Sequence, residues 1–429
     1  MKKLNNKKLL YIFTICILVL VPFIKTLSYY LMNYKIISNY DFINPAIVLY
    51  ISIPFLILIY IRNLIKTDFN LDKHDYLFYI ILIAGIISSI FSNDIYVSIF
   101  GKSYRHEGLL SIISYNLLFI NWKRLGNIED CKKLLKLILW IAIANTIYGF
   151  FQVYTDFPFV IRGGAEGSIT GFCGHNNFYG SLVITVLSFV STKFLYDKKF
   201  NILDAFIIIL LFIGLIDCQS SGPFLTYFIV LLFLFIFLYI KKEIKIYKIF
   251  VLILLLILTY IPITIINNKF GIRCETCNLK ENTFDNGGNY RTLIWKNSLV
   301  IARDHFLIGV GFDNFIDYYP NPKIDDKISF TISTTGLLEK QQNTKKYYIV
   351  DNAHNVYLQT LISTGIIGLI PYLLICLFTF IKGLKSQDKV TFILLGGFVA
   401  YSIQAFANIS VIQVAPIYYI IMGLILCRK

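Results

Sequence analysis

Charge is scarce in this sequence. Only 15% of its 429 residues are Asp, Glu, Lys or Arg, where soluble domains carry about 25%. With 57% hydrophobic residues and a mean hydropathy of +0.67, the chain is neither disordered nor a cytosolic enzyme. Its surplus of Ile, Leu and Phe must face something other than water. Cysteine is sparse too, eight in all, which excludes a small disulfide scaffold. No internal repeat of about 20–50 residues is present, so a repeat architecture is excluded. No small-x-small cleavage site follows the first apolar run, which is too long for a signal-peptide core and reads as a resident span.

What the sequence does have is apolar length. A helix needs about 20 mostly apolar residues to cross the hydrocarbon core. Twelve segments qualify or nearly so: about 9–31, 43–61, 76–91, 107–121, 134–153, 177–195, 201–217, 223–240, 249–266, 355–381, 390–407 and 412–427. The expected fold class is all-α, a polytopic integral membrane protein of about 12 transmembrane helices. It forms a single membrane domain over residues 1–429, with one long extracytoplasmic loop at 267–354.

The net charge of +15 first has to be sorted by side. With the N-terminus cytoplasmic and the spans alternating, 24 of the 40 basic residues fall in cytoplasmic connections. Only five, Lys25, Lys35, Lys102, Arg105 and Arg162, fall at short outer loops or outer span ends. The remaining eleven lie in the long outer segment, where the positive-inside rule has little force. Nine acidic residues lie inside and sixteen outside, so the outer face is neutral overall. The excess is a record of orientation, not a surface for nucleic acid. The expectation is a multi-pass protein of the cytoplasmic membrane, among membrane lipids, with both termini cytoplasmic.

The long outer loop holds a helix-compatible stretch, RTLIWKNSLVIARD at 291–304, with Ile294, Ser298 and Ile301 on one face. Lying at the membrane interface and packing on the rest of the loop both fit it. A turn at Gly309 and Gly311 follows, then a Tyr- and Pro-containing stretch that reads as irregular. Cys274 and Cys277 read as unpaired or disulfide-linked rather than as half of a zinc site, which would need two more ligands. Cys16, Cys376 and Cys427 read as packing residues of spans.

Chemistry gathers at the start of the tenth segment, DNAHNVYLQTLISTGIIGLIPYLL. His354 and Asn355 sit at its outer end, and Gly365 and Gly368 follow one turn apart. A histidine at a helix start on the water side is placed to accept a proton near neutral pH. A hydrogen-bonded structural histidine is the plain alternative. The two glycines would let another helix pack close.

His-Asn-x9-Gly-x-x-Gly at the outer start of a late span resembles the motif of the O-antigen ligase and O-antigen polymerase family, bacterial membrane enzymes that handle lipid-linked glycans. NYRTLIWKNSLVIARDHFLIGVGFDNF at 289–315 is similar to the family's Arg-x3-Trp helix and Gly-x-Gly. TGFCGHNNFYGSLV at 170–183 resembles its Asn-rich entry to a middle span, with Asn177 at the usual Asn. FGKSYRHEGLLSIISY at 100–115 resembles an outer segment carrying Arg105 and Gly108. The motif region runs over about 170–370. Two departures stand out. Ser221, in CQSSGPFL, falls where the family often has an Arg, leaving Arg105 and Arg162 as replacements, and the usual Pro before Gly-x-Gly gives way to His305 or its neighbour.

The resemblance implies a GT-C-like helical fold and a glycosyl transfer at the outer face without metal or cofactor. The donor would be a glycan on a polyprenyl pyrophosphate and the acceptor a hydroxyl of a glycan or lipid-glycan. A base must take the hydroxyl proton, a role that suits His354. A cation must stabilise the departing pyrophosphate, which suits the bidentate guanidinium of Arg291. Arg105, Arg162, Asn177 and Asn355 are the candidate substrate contacts. For Arg105 a structural ion pair beside Glu107 fits equally, and for Asn177 so does helix capping at the span start. His74 is expected in solvent, and Asp217 at an outer span end has no partner named by the sequence. A twelve-span transporter or lipid-glycan flippase is the alternative, although such carriers generally show repeated halves and this chain is asymmetric.

Overall fold

The structure, a computed structural model, describes residues 5–33, 44–155, 167–243, 245–269, 289–320, 331–332, 338–342 and 345–427. Fifteen helices appear among them. In chain order they are α1 (Asn6–Asn33), α2 (Ile47–Lys66), α3 (Lys73–Ile90), α4 (Ile95–Phe100), α5 (Leu109–Leu125), α6 (Ile128–Tyr154), α7 (Asn176–Tyr196), α8 (Ile202–Asp217), α9 (Ser221–Ile240), α10 (Ile246–Lys269), α11 (Asn289–Asp304), α12 (Phe315–Tyr318), α13 (Val356–Lys385), α14 (Lys389–Ala405) and α15 (Ala415–Leu426). Eight of these are long and apolar enough to cross a membrane: α1, α2, α3, α6, α7, α9, α10 and α13. The protein is therefore an all-α polytopic membrane protein. Each of the twelve apolar segments falls on a helix, the other four being α5, α8, α14 and α15.

The helices begin where short polar side chains can hold the free amides of a first turn. Asp72 and Asp75 close a capping box at α3, and Asn127 with Asp130 does so at α6. Asn201 starts α8 and Asp388 starts α14. Along the outer faces Phe250, Leu258, Ile240 and Leu232 are more than half exposed, a surface suited to lipid chains rather than water. α7 is buried almost all round, packed by α14, α8 and α9.

One end of the bundle is basic and tied together. Lys7 pairs with Asp130, and Arg124 grips Asp75 with Nε and Nη2 at 2.8 and 2.7 Å. Lys389 pairs with Asp197, Lys248 donates to the Phe194 carbonyl, and Lys382 to that of Cys427. At the opposite end Lys25 donates to the Tyr104 carbonyl, Asp94 meets Asn314, and Ile169 donates to the Asp217 carbonyl.

Several expectations change. His74 is not in solvent: it is half-buried, its Nδ1 sits 3.2 Å from Asp72 and its ring packs edge-on against Phe378. Asp217, for which the sequence named no partner, accepts from Asn267 Nδ2 at 2.8 Å and from the Tyr154 hydroxyl at 2.9 Å. The stretch read as irregular contains α12 and a small antiparallel sheet, β1 (Thr331–Ile332), β2 (Leu338–Gln342) and β3 (Lys345–Ile349). β2 and β3 pair antiparallel from Leu338↔Ile349 to Gln342↔Lys345, and the Tyr-Tyr-Ile run of β3 is strand-forming. Cys274, Cys277 and Arg162 lie outside the described residues.

Candidate active site

The candidate site is built around a break in α13. Gly365 has φ 64° and ψ −171°, a backbone region essentially open to glycine alone. The break exposes carbonyls of the preceding turn, and the loop after α11 takes them up. Val310 donates to Ile362 O at 2.8 Å, Gly311 to Ser363 O at 3.0 Å, and Ile366 returns a bond to Phe306 O at 2.8 Å. A Cβ on Gly365 would run into the Leu307 carbonyl, and one on Gly309 into residues 362–363. The Ser88 hydroxyl donates to Ser363 O and accepts from Gly311 N at 2.9 Å. The expectation of helix packing at the Gly-x-x-Gly is therefore corrected: Gly365 receives a loop, and Gly368 receives Thr364 of its own helix.

α11 packs on the N-terminal half of α13. Ile294, Ser298 and Ile301 are buried as their spacing predicts. Ile294, Ile301 and Ala302 form a small separate core with Val310, Phe315, Ala353 and Ile362. This packing sets Arg291, in the first turn of α11, near the start of α13.

His354 sits in a tight turn wrapped by its neighbours. Its own φ is 50°, a left-handed conformation that costs a non-glycine residue about 1 kcal/mol or more. Asn352 Oδ1 accepts the His354 amide and Gln359 Oε1 the Ala353 amide, both at 3.0 Å. Asn355 caps α13, accepting from the amides of Tyr357 and Leu358 at 3.0 Å. Of the substrate contacts expected, Asn355 is thus seen in a capping role.

Arg105 is held by Asp351, not by Glu107. Nε and Nη2 bond the two carboxylate oxygens at 2.9 and 2.8 Å, while Glu107 accepts from the Tyr115 hydroxyl at 2.8 Å. At α7 the N-cap is His175, whose Nδ1 accepts the Asn177 amide at 3.1 Å, and Asn176 Oδ1 accepts the same amide at 2.8 Å. Asn177 accepts from the hydroxyl of Ser220, beside Ser221.

These groups converge electrostatically on His354. Together they lower its pKa to about 4: burial does most, Arg105 adds to it, Asp351 opposes, and Arg291 and His175 contribute further lowering. At neutral pH the imidazole is uncharged, with a lone pair available for a proton. Burial alone depresses Arg291, without a compensating carboxylate. Among the described residues Arg291 has neither an acidic partner nor a hydrogen bond. Burial likewise raises Asp313, whose Oδ2 accepts the Lys102 amide at 3.0 Å. Among the described residues no group of three His, Cys, Asp or Glu side chains stands ready to hold a metal ion. His354, Arg291 and Arg105 are thus brought together, with Asn177 attached through His175. The sequence reading missed Asp351, although it lies three residues before His354 and is the nearest acid to it along the chain.

No curated protein matches the chain. Residues 206–373 match a family model described as O-antigen ligase, a stretch that takes in Ser221, Arg291, the Gly309–Gly311 turn, His354 and Gly365 but not Arg105, Arg162 or Asn177. By the domain at 206–373 the chain is similar to the O-antigen ligase family.

Proposed function

We propose that the protein is a glycosyltransferase acting at the outer face of the cytoplasmic membrane, moving a glycan from a polyprenyl pyrophosphate to an acceptor hydroxyl in surface-polysaccharide synthesis. The acceptor oxygen attacks the anomeric carbon, the bond to the pyrophosphate breaks, and polyprenyl pyrophosphate leaves with the electron pair. His354 takes the hydroxyl proton. Arg291 pairs with the developing charge on the leaving group, as a bidentate guanidinium does best. The orientation follows from the basic end of the bundle, which the positive-inside rule assigns to the cytoplasm.

The observation that carries this reading is a largely buried imidazole, uncharged at neutral pH, within electrostatic reach of a largely buried arginine that has no acidic partner among the described residues. A structural site would be expected to pair that cation, because burying an unpaired charge is costly; an anionic substrate supplies the missing partner. The test uses the full-length protein in phospholipid vesicles with lipid-linked glycan extracted from cells that lack it. His354→Ala is expected to insert normally and to lose transfer by about 100-fold or more. Full transfer by that variant would remove His354 as the base.

A further inference from the structure

Arg105 and Asp351 are 246 residues apart, and their side chains form a two-pronged pair with both partners nearly out of solvent, 9% and 2% exposed. A guanidinium engaged in this way offers little net charge to a phosphate. Its carboxylate partner begins the turn Asp351-Asn352-Ala353-His354. The hydrogen bonds that Asn352, Asn355 and Gln359 make in that turn all come from within the turn or α13 itself. The Arg105 pair instead joins it to a different part of the chain. The Arg105 loop is in turn anchored: Arg105 N donates to Lys102 O at 2.9 Å, and Lys102 N to Asp313 just after the Gly-x-Gly turn. The loop is a strut between the segment after α11 and the segment before α13.

We infer that Arg105 and Asp351 are a positioning pair that fixes the His354 turn relative to the Gly-x-Gly loop, and that Arg105 does not replace the donor-phosphate arginine absent at Ser221. This inference rests on His354 being the base. Misplacing a reacting group by about 1 Å lowers turnover by about 100-fold, whereas loss of a phosphate ligand first weakens donor binding. The two roles therefore separate kinetically.

The experiment compares Arg105→Ala, Asp351→Asn, Arg105→Lys and the charge-exchanged double variant Arg105→Asp/Asp351→Arg. Each is assayed as full-length protein in vesicles with the extracted lipid-linked glycan, and thermal unfolding is recorded for all. The single variants are expected to lower kcat by about 10- to 100-fold while donor KM stays within about threefold. The exchanged pair should recover kcat at least tenfold over the worse single variant, an outcome a phosphate ligand cannot give. Asp351→Asn keeps the side-chain shape and serves if the alanine variant fails to fold. A rise in donor KM at unchanged kcat in Arg105→Lys, or an exchanged pair no better than the singles, overturns the proposal. Full activity in a parallel His354→Ala sample would instead remove the base assignment, so the two failures are distinct.

Discussion

The amide of Gly311 donates to the carbonyl of Ser363 at 3.0 Å, so the Gly-x-Gly loop is stitched onto the turn that Gly365 breaks. Both ends of the arrangement need glycine for a physical reason. Gly365→Ala must leave a backbone region worth about 1–3 kcal/mol in strain and also push a methyl into the Leu307 carbonyl. The expected outcome is a protein that unfolds at markedly lower temperature and transfers no glycan. In Gly368→Ala the added methyl meets Thr364 instead, so Thr364→Gly in that background should restore part of the lost stability. Thermal unfolding in detergent checks both, and a wild-type melting curve for Gly365→Ala would contradict the broken helix.

The pH dependence of stability follows from His354. Unfolded, the imidazole takes a proton near its ordinary 6.5, whereas folded it does so only near 4. Between those values the unfolded chain binds more protons, so the contribution of this group favours folding more as pH rises through the window and is lost as pH falls from 6.5 to 4. His354→Asn, which carries no titrating group, should flatten that part of the stability curve. Measured unfolding that keeps the same slope in the variant would assign the titration elsewhere.

Arg291 links donor binding to the base. In the free protein it helps hold the His354 pKa down; the bound pyrophosphate should neutralise it and let that pKa rise. The acid limb of kcat is therefore expected at higher pH than the acid limb of kcat/KM, which reports the free enzyme. Arg291→Gln should raise donor KM by about tenfold or more and move the kcat/KM limb upward. Arg291→Lys should return the limb but not all of the affinity, because an ammonium cannot grip phosphate with a fork.

Asn355 separates a structural from a substrate role. Its side chain accepts from two amides in the first turn of α13, so Asn355→Ala should cost about 1 kcal/mol of stability. Asn355→Asp retains an accepting oxygen and should preserve both the melting temperature and the transfer rate. Lost transfer in Asn355→Asp with unchanged melting would place the side chain on the sugar.

The helices were legible because an apolar run long enough for lipid has few other uses, and the basic connections marked alternate ends. The Ile294, Ser298 and Ile301 face was legible for the same reason, its period being helical. The site was legible only in part. Nothing local names Asp351 as the partner of Arg105, since a contact across 246 residues leaves no spacing to read, and Glu107 was the nearer acid. Gly365 was ambiguous because glycine serves a close helix approach and a chain break equally well. The hairpin from Leu338 to Ile349 was passed over since its strands are polar, without the alternation that marks a half-buried strand.

On the proposed reading the acceptor decides between a ligase and a polymerase, and the proposed chemistry is common to both. A ligase moves a finished chain, so its loss leaves full-length glycans on the polyprenyl carrier. A polymerase joins repeat units, so its loss leaves single units there and no long chains. The topology expected from charge leaves sixteen basic and sixteen acidic residues outside, which favours no broad attraction for an acidic polymer, so the division must be made on products. Glycans released from the carrier in a deletion strain are expected to be altered in length or location, with restoration by the intact gene and none by the His354→Ala form. A ladder confined to one repeat identifies extension as the missing step, and long chains held on the lipid identify transfer. Unchanged length and location in the deletion would remove the protein from glycan assembly altogether.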